Sequence, residues 1–74
     1  MVIEGTAIFQ KVPEGYVAFL AELPGANSQG ATLDEARANL AEAVELIVSS
    51  QRMLLEERLG KQEVVRERMT ITGA

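Results

Sequence analysis

The sequence of 74 residues contains no cysteine and no histidine. Without cysteine, disulfide bonds and thiolate metal sites are excluded. Without histidine, the chain lacks the side chain that most often serves as a general base and as a metal ligand. These two absences count against most hydrolytic and metal-dependent chemistry, and they favour a role in binding.

A basic leader and long apolar runs are also missing. The first five residues show no basic stretch followed by an apolar one, which is what a signal peptide requires. No uninterrupted apolar stretch approaches the roughly 18 residues of a membrane span. We therefore expect a cytoplasmic protein.

Composition fits one small globular domain over residues 1–74. Hydrophobic residues make up 47% and charged residues 24%, which is too apolar for a disordered chain. The core of so short a chain is thin, and oligomerisation commonly supplements it. Seven basic and eleven acidic residues give a formal net charge of −4. This charge disfavours sequence-independent nucleic-acid binding and favours a basic partner, or serves solubility alone.

Two runs rich in β-branched and aromatic residues predict a β-hairpin. Residues 2–12 are the first strand, residues 16–23 the second, and Pro13-Glu14-Gly15 the turn between them. Pro24-Gly25 ends the second strand. A short third strand is predicted within residues 26–30.

A capping box opens a long helix. The Thr32 hydroxyl can accept from the Glu35 amide, and the Glu35 carboxylate can reach back to the Thr32 amide. Apolar residues then recur at helical spacing as far as Gly60, a good C-terminal stop. The helix is about 27 residues, or roughly 40 Å, which is longer than a small sheet needs. Ser49-Ser50 is its weakest point.

The last segment, residues 63–72, changes to a period of two. Val65, Met69 and Ile71 alternate with residues of the opposite face, and only Glu67 breaks the apolar side. We predict a final strand here and therefore the order β-β-β-α-β. The fold class is α+β, with a small antiparallel-type sheet packed on one long helix.

Residues 15–43 resemble the HicB-like family, the antitoxin half of HicA–HicB toxin–antitoxin pairs. The family pattern is Gly-Tyr, an apolar strand, Asp/Glu-Leu-Pro-Gly, Gly-x-Thr, and Glu-Ala at the start of a helix. The chain meets this pattern without gaps at Gly15-Tyr16, Glu22-Leu23-Pro24-Gly25, Gly30-Ala31-Thr32 and Glu35-Ala36. It departs at Ala21, where the family usually has proline, and at Ala31, where an acidic residue is common.

The resemblance implies a degenerate ribonuclease-H-like fold, self-association, and neutralisation of a small basic HicA-like ribonuclease toxin. Many family members append a helix-turn-helix or ribbon-helix-helix segment that binds operator DNA. Residues 63–74 are too short and too strand-like for one. We therefore expect a stand-alone short form without a separate DNA-binding domain, and nucleic-acid binding is not expected.

Alternation along the strands predicts an uncovered apolar patch on the sheet face opposite to the helix, a pattern typical of interfaces. It places on that face Ile8, Val12, Tyr16, Ala18 and Leu20. We assign partner binding to Tyr16, Leu20, Glu22 and Pro24. We assign a homo-oligomer interface to Ile8, Ala18, Leu54 and Leu55. A purely structural role for Tyr16 and Pro24 stays open.

No catalytic, cofactor or metal site is predicted. The acidic residues are scattered, the serines have no histidine to activate them, and no Gly-Lys-Ser/Thr follows Gly25 or Gly30. Two alternatives to the antitoxin remain: a homo-oligomeric structural or regulatory domain without a toxin, and a DNA-binding autoregulator. A neighbouring gene for a short basic protein would favour the antitoxin.

Overall fold

The computed structural model describes residues 3–73 as three strands followed by one helix. These elements are β1 (Ala7–Val12), β2 (Gly15–Leu20), β3 (Asn27–Gly30) and α1 (Leu33–Leu59). The strands form one antiparallel sheet in the order β1-β2-β3, and α1 packs mainly on β3 and β2. The predicted α+β fold is confirmed. The strands are shorter than predicted, and Val2 lies outside the described residues.

A two-residue turn, Pro13-Glu14, connects β1 to β2. Val12 pairs directly with Gly15, which has a φ of +143°. A Cβ atom on this glycine would collide with the carbonyl oxygen of Gly30 on β3. Glycine is therefore needed here both for backbone conformation and for the approach of β3.

The turn length decides which side chains share a face of the sheet. Because Phe9 pairs with Ala18 and Ala7 with Leu20, odd residues of β1 lie beside even residues of β2. Ala18 is 1% exposed and belongs to the core beneath α1. The predicted position of Tyr16, Ala18 and Leu20 on the face opposite to the helix is therefore wrong.

The core between sheet and helix is thin. Its buried members are small or medium-sized, and no large side chain among the described residues is fully buried. They are Ala18, Ala26, Ala36, Leu40 and Val44. Half-buried side chains surround them, namely Phe9, Tyr16, Leu20, Leu23, Ile47 and Val48. Few residues therefore carry the hydrophobic contribution to stability.

Helix α1 begins where the capping box predicts. Thr32 is the N-cap, and its hydroxyl accepts a hydrogen bond from the Glu35 amide at 3.1 Å. The first turn lies close against β3, since a Cβ atom on Gly30 would be 2.5 Å from the Ala36 nitrogen. Gly30 and Thr32 thus fix where α1 starts and how near it lies to the sheet.

The second half of α1 extends beyond the sheet. Residues 49–58 are exposed, and the helix runs through Ser49-Ser50 without interruption. It ends at Gly60, whose φ is +54° and whose amide donates to the Glu56 carbonyl at 2.9 Å. The predicted helix bounds are confirmed.

The predicted final strand is wrong for the single chain. Residues 63–73 have no regular secondary structure. A strand needs a neighbouring strand, and the described residues place none where α1 ends. Arg66 instead donates two hydrogen bonds to the Glu56 carboxylate, at 2.8 and 3.0 Å. Val65 and Ile71 remain 86% and 84% exposed.

Candidate protein-binding site

The sheet face opposite to α1 is apolar at its centre. Ile8 on β1 pairs directly with Phe19 on β2, and the two are 39% and 37% exposed. Val12 and Val17 share this face by register and are half-buried. We call Ile8, Val12, Val17 and Phe19 the free face.

Polar side chains border the free face on β3, and on β1 Gln10 lies between Ile8 and Val12. Gln10 and Gln29 are the neighbours of Val17 on either side, and Asn27 lies beside Phe19. All three polar residues are exposed. An apolar centre with a polar rim is the arrangement that protein–protein interfaces show.

Tyr16 and Leu20, two of the predicted partner-binding residues, lie on the α1 side of the sheet. Both are half-buried and pack against the core. The Lys11 ammonium lies 5.1 Å from the centroid of the Tyr16 ring, a cation–π distance. These contacts give both residues a packing role, and their part in partner binding stays a prediction.

Glu22 links the segment after β2 to the segment before β1 by hydrogen bonds. Its carboxylate accepts hydrogen bonds from the Thr6 amide at 2.6 Å and from the Thr6 hydroxyl at 2.9 Å. The Thr6 amide first, and then its hydroxyl, stabilise the ionised form and lower the pKa of Glu22 below its ordinary value. Pro24 is exposed in the loop that follows. Their assignment to partner binding stays a prediction.

The four residues assigned to an oligomer interface do not form one surface. Ile8 is on the free face, as predicted, whereas Ala18 is in the core, so its surface position is wrong. Leu54 and Leu55 are exposed on α1. Leu54 is ten residues beyond Val44, or about 15 Å along the axis. Only Leu54 and Leu55 are neighbours.

Phe19 and Val17 are the residues of the free face that sequence reasoning missed. Treating Pro13-Glu14-Gly15 as a three-residue turn gives the two strands the wrong relative alternation. Pairing Val12 with Gly15 would have placed Phe19 beside Ile8. The length of the turn is therefore the sequence signal that could have identified the free face.

A shallow cavity of about 550 Å³ with a mixed polar and apolar lining lies near the start of α1. Its polar lining includes Glu14, Gln29, Glu35 and Asn39. The Asn39 amide group donates to the Gln29 carbonyl at 2.9 Å. Within residues 3–73 no three acidic side chains cluster in a way that could hold a metal ion. The absence of enzymatic activity stays a prediction.

Helix α1, taken with the rest of residues 3–73, offers no segment long and apolar enough to cross a membrane.

A known protein is similar in sequence to most of this chain. Over 52 residues the chain is 46% identical to the UPF0150 protein ssl0738 of Synechocystis sp., and the match covers 69% of this chain and 72% of that protein. The chain belongs to the UPF0150 family. No family profile matches this UPF0150 chain, and no solved structure matches it.

Proposed function

We propose that this UPF0150 protein is a HicB-like, antitoxin-type binding module that acts in the cytoplasm and neutralises a small basic ribonuclease toxin. The observation that carries the proposal is the free face. It is an apolar patch with a polar rim on a sheet whose other face is already packed against α1. Such a surface favours binding to another protein over catalysis.

The HicB-like sequence pattern has physical reasons in this fold. Gly15 and Gly30 permit close backbone approaches, and Thr32 caps α1. These roles support a common architecture, which we propose to be the degenerate ribonuclease-H-like fold. The motif residues thus serve folding, and the free face stays available to a partner.

Charge supports a basic partner. The net charge of −4 would attract a basic toxin over long range and accelerate encounter. Contact through the free face would then bury Ile8 and Phe19 together, because they are cross-strand neighbours. Well-packed residues near the centre of an interface commonly contribute most of the binding energy.

Co-expression with the short basic protein encoded beside this gene tests the proposal. We expect the chain to restore growth and intact RNA, and to bind that protein in calorimetry. Phe19→Glu on the free face should weaken binding by at least about a hundredfold, as loss of a central contact does. The matched control is Leu46→Glu, the same kind of change at an exposed residue of α1, and it should bind normally.

The antitoxin proposal fails if no short basic protein is encoded there, or if that protein is neither bound nor inhibited. Equal loss of binding in both variants would place the contact elsewhere than on the free face.

A homo-oligomeric domain without a toxin is the second candidate function. The exposed apolar residues of the second half of α1 favour it, since Met53 and Leu54 are exposed on the part of the helix that extends beyond the sheet. Self-association without any toxin binding would support this candidate.

A further inference from the structure

The outer edge of β1 has unpaired backbone groups. In an antiparallel ladder, alternate residues turn their backbone groups toward the neighbouring strand. The Ala21 amide donates to the Thr6 carbonyl at 2.9 Å. This hydrogen bond fixes the alternation, so the backbone groups of Ile8, Gln10 and Val12 point toward β2. The backbone groups of Ala7, Phe9 and Lys11 therefore point away from the sheet, where residues 3–73 supply no further strand. Such an edge can accept another strand.

A groove accompanies this edge. Because α1 packs mainly on β3 and β2, space remains between the helix and β1, with a volume of about 410 Å³. Its lining is mostly apolar and carries one cation, Arg37, and one anion, Glu45. The apolar members are Ile3, Ala7, Leu20, Ala41 and Val44. A strand added beside β1 would point alternate side chains into this groove.

The C-terminal segment has the pattern that such a strand needs. In residues 63–72 the apolar side chains alternate, and Val65, Met69 and Ile71 are 86%, 73% and 84% exposed. Glu67 is the acid between them on the same side, and it complements Arg37 of the groove. The segment thus has the sequence pattern of a strand, and no strand lies beside it within residues 3–73.

The segment does not pair with its own β1 in the structure. The part of α1 that packs on the core ends at Val48. Arg66 is held at Glu56 by two hydrogen bonds, and Glu56 lies eight residues, or about 12 Å, beyond Val48. Arg66 therefore lies beside the projecting part of the helix and away from the part of α1 that packs on its own sheet.

We propose that residues 63–72 of one copy of this chain add as a fourth strand to the outer edge of β1 in a second copy. Val65, Met69 and Ile71 would then fill the groove beneath the second copy's α1. The exchange is reciprocal, so two copies form a closed dimer. Its backbone hydrogen bonds would satisfy the edge groups of Phe9 and Lys11.

Amide hydrogen exchange tests the edge directly. In the dimer we expect the Phe9 and Lys11 amides to exchange as slowly as those of Ile8 and Gln10, which already bond to β2. On dilution to monomer, only the Phe9 and Lys11 amides should become fast. Fast exchange of Phe9 and Lys11 in a sample that sedimentation shows to be dimeric would overturn the proposal.

Proline substitutions test the strand. Successive amides of a strand point to opposite edges, so either Glu67→Pro or Arg68→Pro must remove a pairing donor. We expect the dissociation constant of the dimer to rise at least about tenfold for one of them, as loss of one or two backbone hydrogen bonds does. Glu67→Ala and Arg68→Ala are the matched controls and should change it far less. Unchanged dimers in both proline variants would overturn the proposal.

A spin label distinguishes exchange between copies from pairing within one copy. The chain has no cysteine, so Thr70→Cys provides one labelling site. Labelled copies without ¹⁵N are mixed with ¹⁵N wild-type copies, and we expect broadening of the wild-type Phe9 and Lys11 signals. Broadening only when label and ¹⁵N share one chain would overturn the exchange. None of these readouts involves a toxin, so they stand or fall separately from the antitoxin proposal.

Discussion

The two parts of α1 both carry apolar side chains and have different surroundings. The proximal half, residues 33–48, contributes Ala36, Leu40 and Val44 to the core. The distal half, residues 49–59, exposes apolar side chains such as Met53 and Leu54. Helical spacing of apolar residues thus shows which side chains share a face, whereas the extent of the sheet decides which of them are covered. Packing stabilises the proximal half, and local interactions must sustain the distal half.

Truncating a leucine in each half should give the largest contrast. Leu40 is 3% exposed, so Leu40→Ala leaves a cavity and should lower the free energy of unfolding by about 2–5 kcal/mol. Leu54→Ala, at an exposed site, should change it by less than about 0.5 kcal/mol. Urea denaturation at a concentration where the chain is monomeric measures both. Similar losses would mean that the distal half is packed in solution.

Gly30→Ala should disturb the seating of the proximal half. The added Cβ atom would lie 2.5 Å from the Ala36 nitrogen and 2.9 Å from the Glu35 carbonyl carbon. Because both neighbours are backbone atoms, α1 has to shift, at about 1–3 kcal/mol. Gly73→Ala is the control, since its Cβ atom would meet nothing within 4 Å. A variant as stable as wild type, by thermal denaturation, would contradict the close approach of α1 to β3.

Thr32→Ala should have a smaller effect. It removes the hydroxyl that accepts from the Glu35 amide, and loss of such a cap costs about 1 kcal/mol. Thr70→Ala, outside any helix, should be neutral in the monomer. An unchanged urea midpoint for Thr32→Ala would show that water or another group replaces the cap at no cost.

Acid should weaken the contribution that the Glu22 carboxylate makes to stability. The pKa of Glu22 is lowered by the Thr6 hydrogen bonds. Its contribution to stability is therefore present above its ordinary pKa of about 4.5, and is lost as pH falls through the lower folded value. Glu22→Gln should flatten this loss. The control is Glu56→Gln, which removes a surface pair worth about 0–1 kcal/mol. A ¹³C titration placing the pKa of Glu22 at or above 4.5 would contradict the expectation.

Local signals predicted most of the fold. The Thr32 cap, the Gly60 stop and the helix between them depend on neighbouring residues, so they could be read from sequence. The hairpin followed from its turn residues. The free face could not be predicted from the turn residues, because one residue of turn length decides whether Ala18 or Phe19 points away from α1.

The final strand shows a second limit of sequence reasoning. Alternation in residues 63–72 shows that the segment can form a strand beside another strand, and within residues 3–73 no strand lies beside it. Tyr16 and Leu20 illustrate the same limit at the site. Both were correctly taken as apolar sheet residues. Whether they contact α1 depends on where α1 lies, which no local pattern specifies.

The short Pro13-Glu14 turn also sets the pairing register of the hairpin. A register shifted by one residue would turn every side chain of one strand to the opposite face. Phe9 would then leave the helix side, and Ile8 would replace it beneath Arg37. A change of length in this turn should therefore preserve the fold only where Val12 still pairs with Gly15.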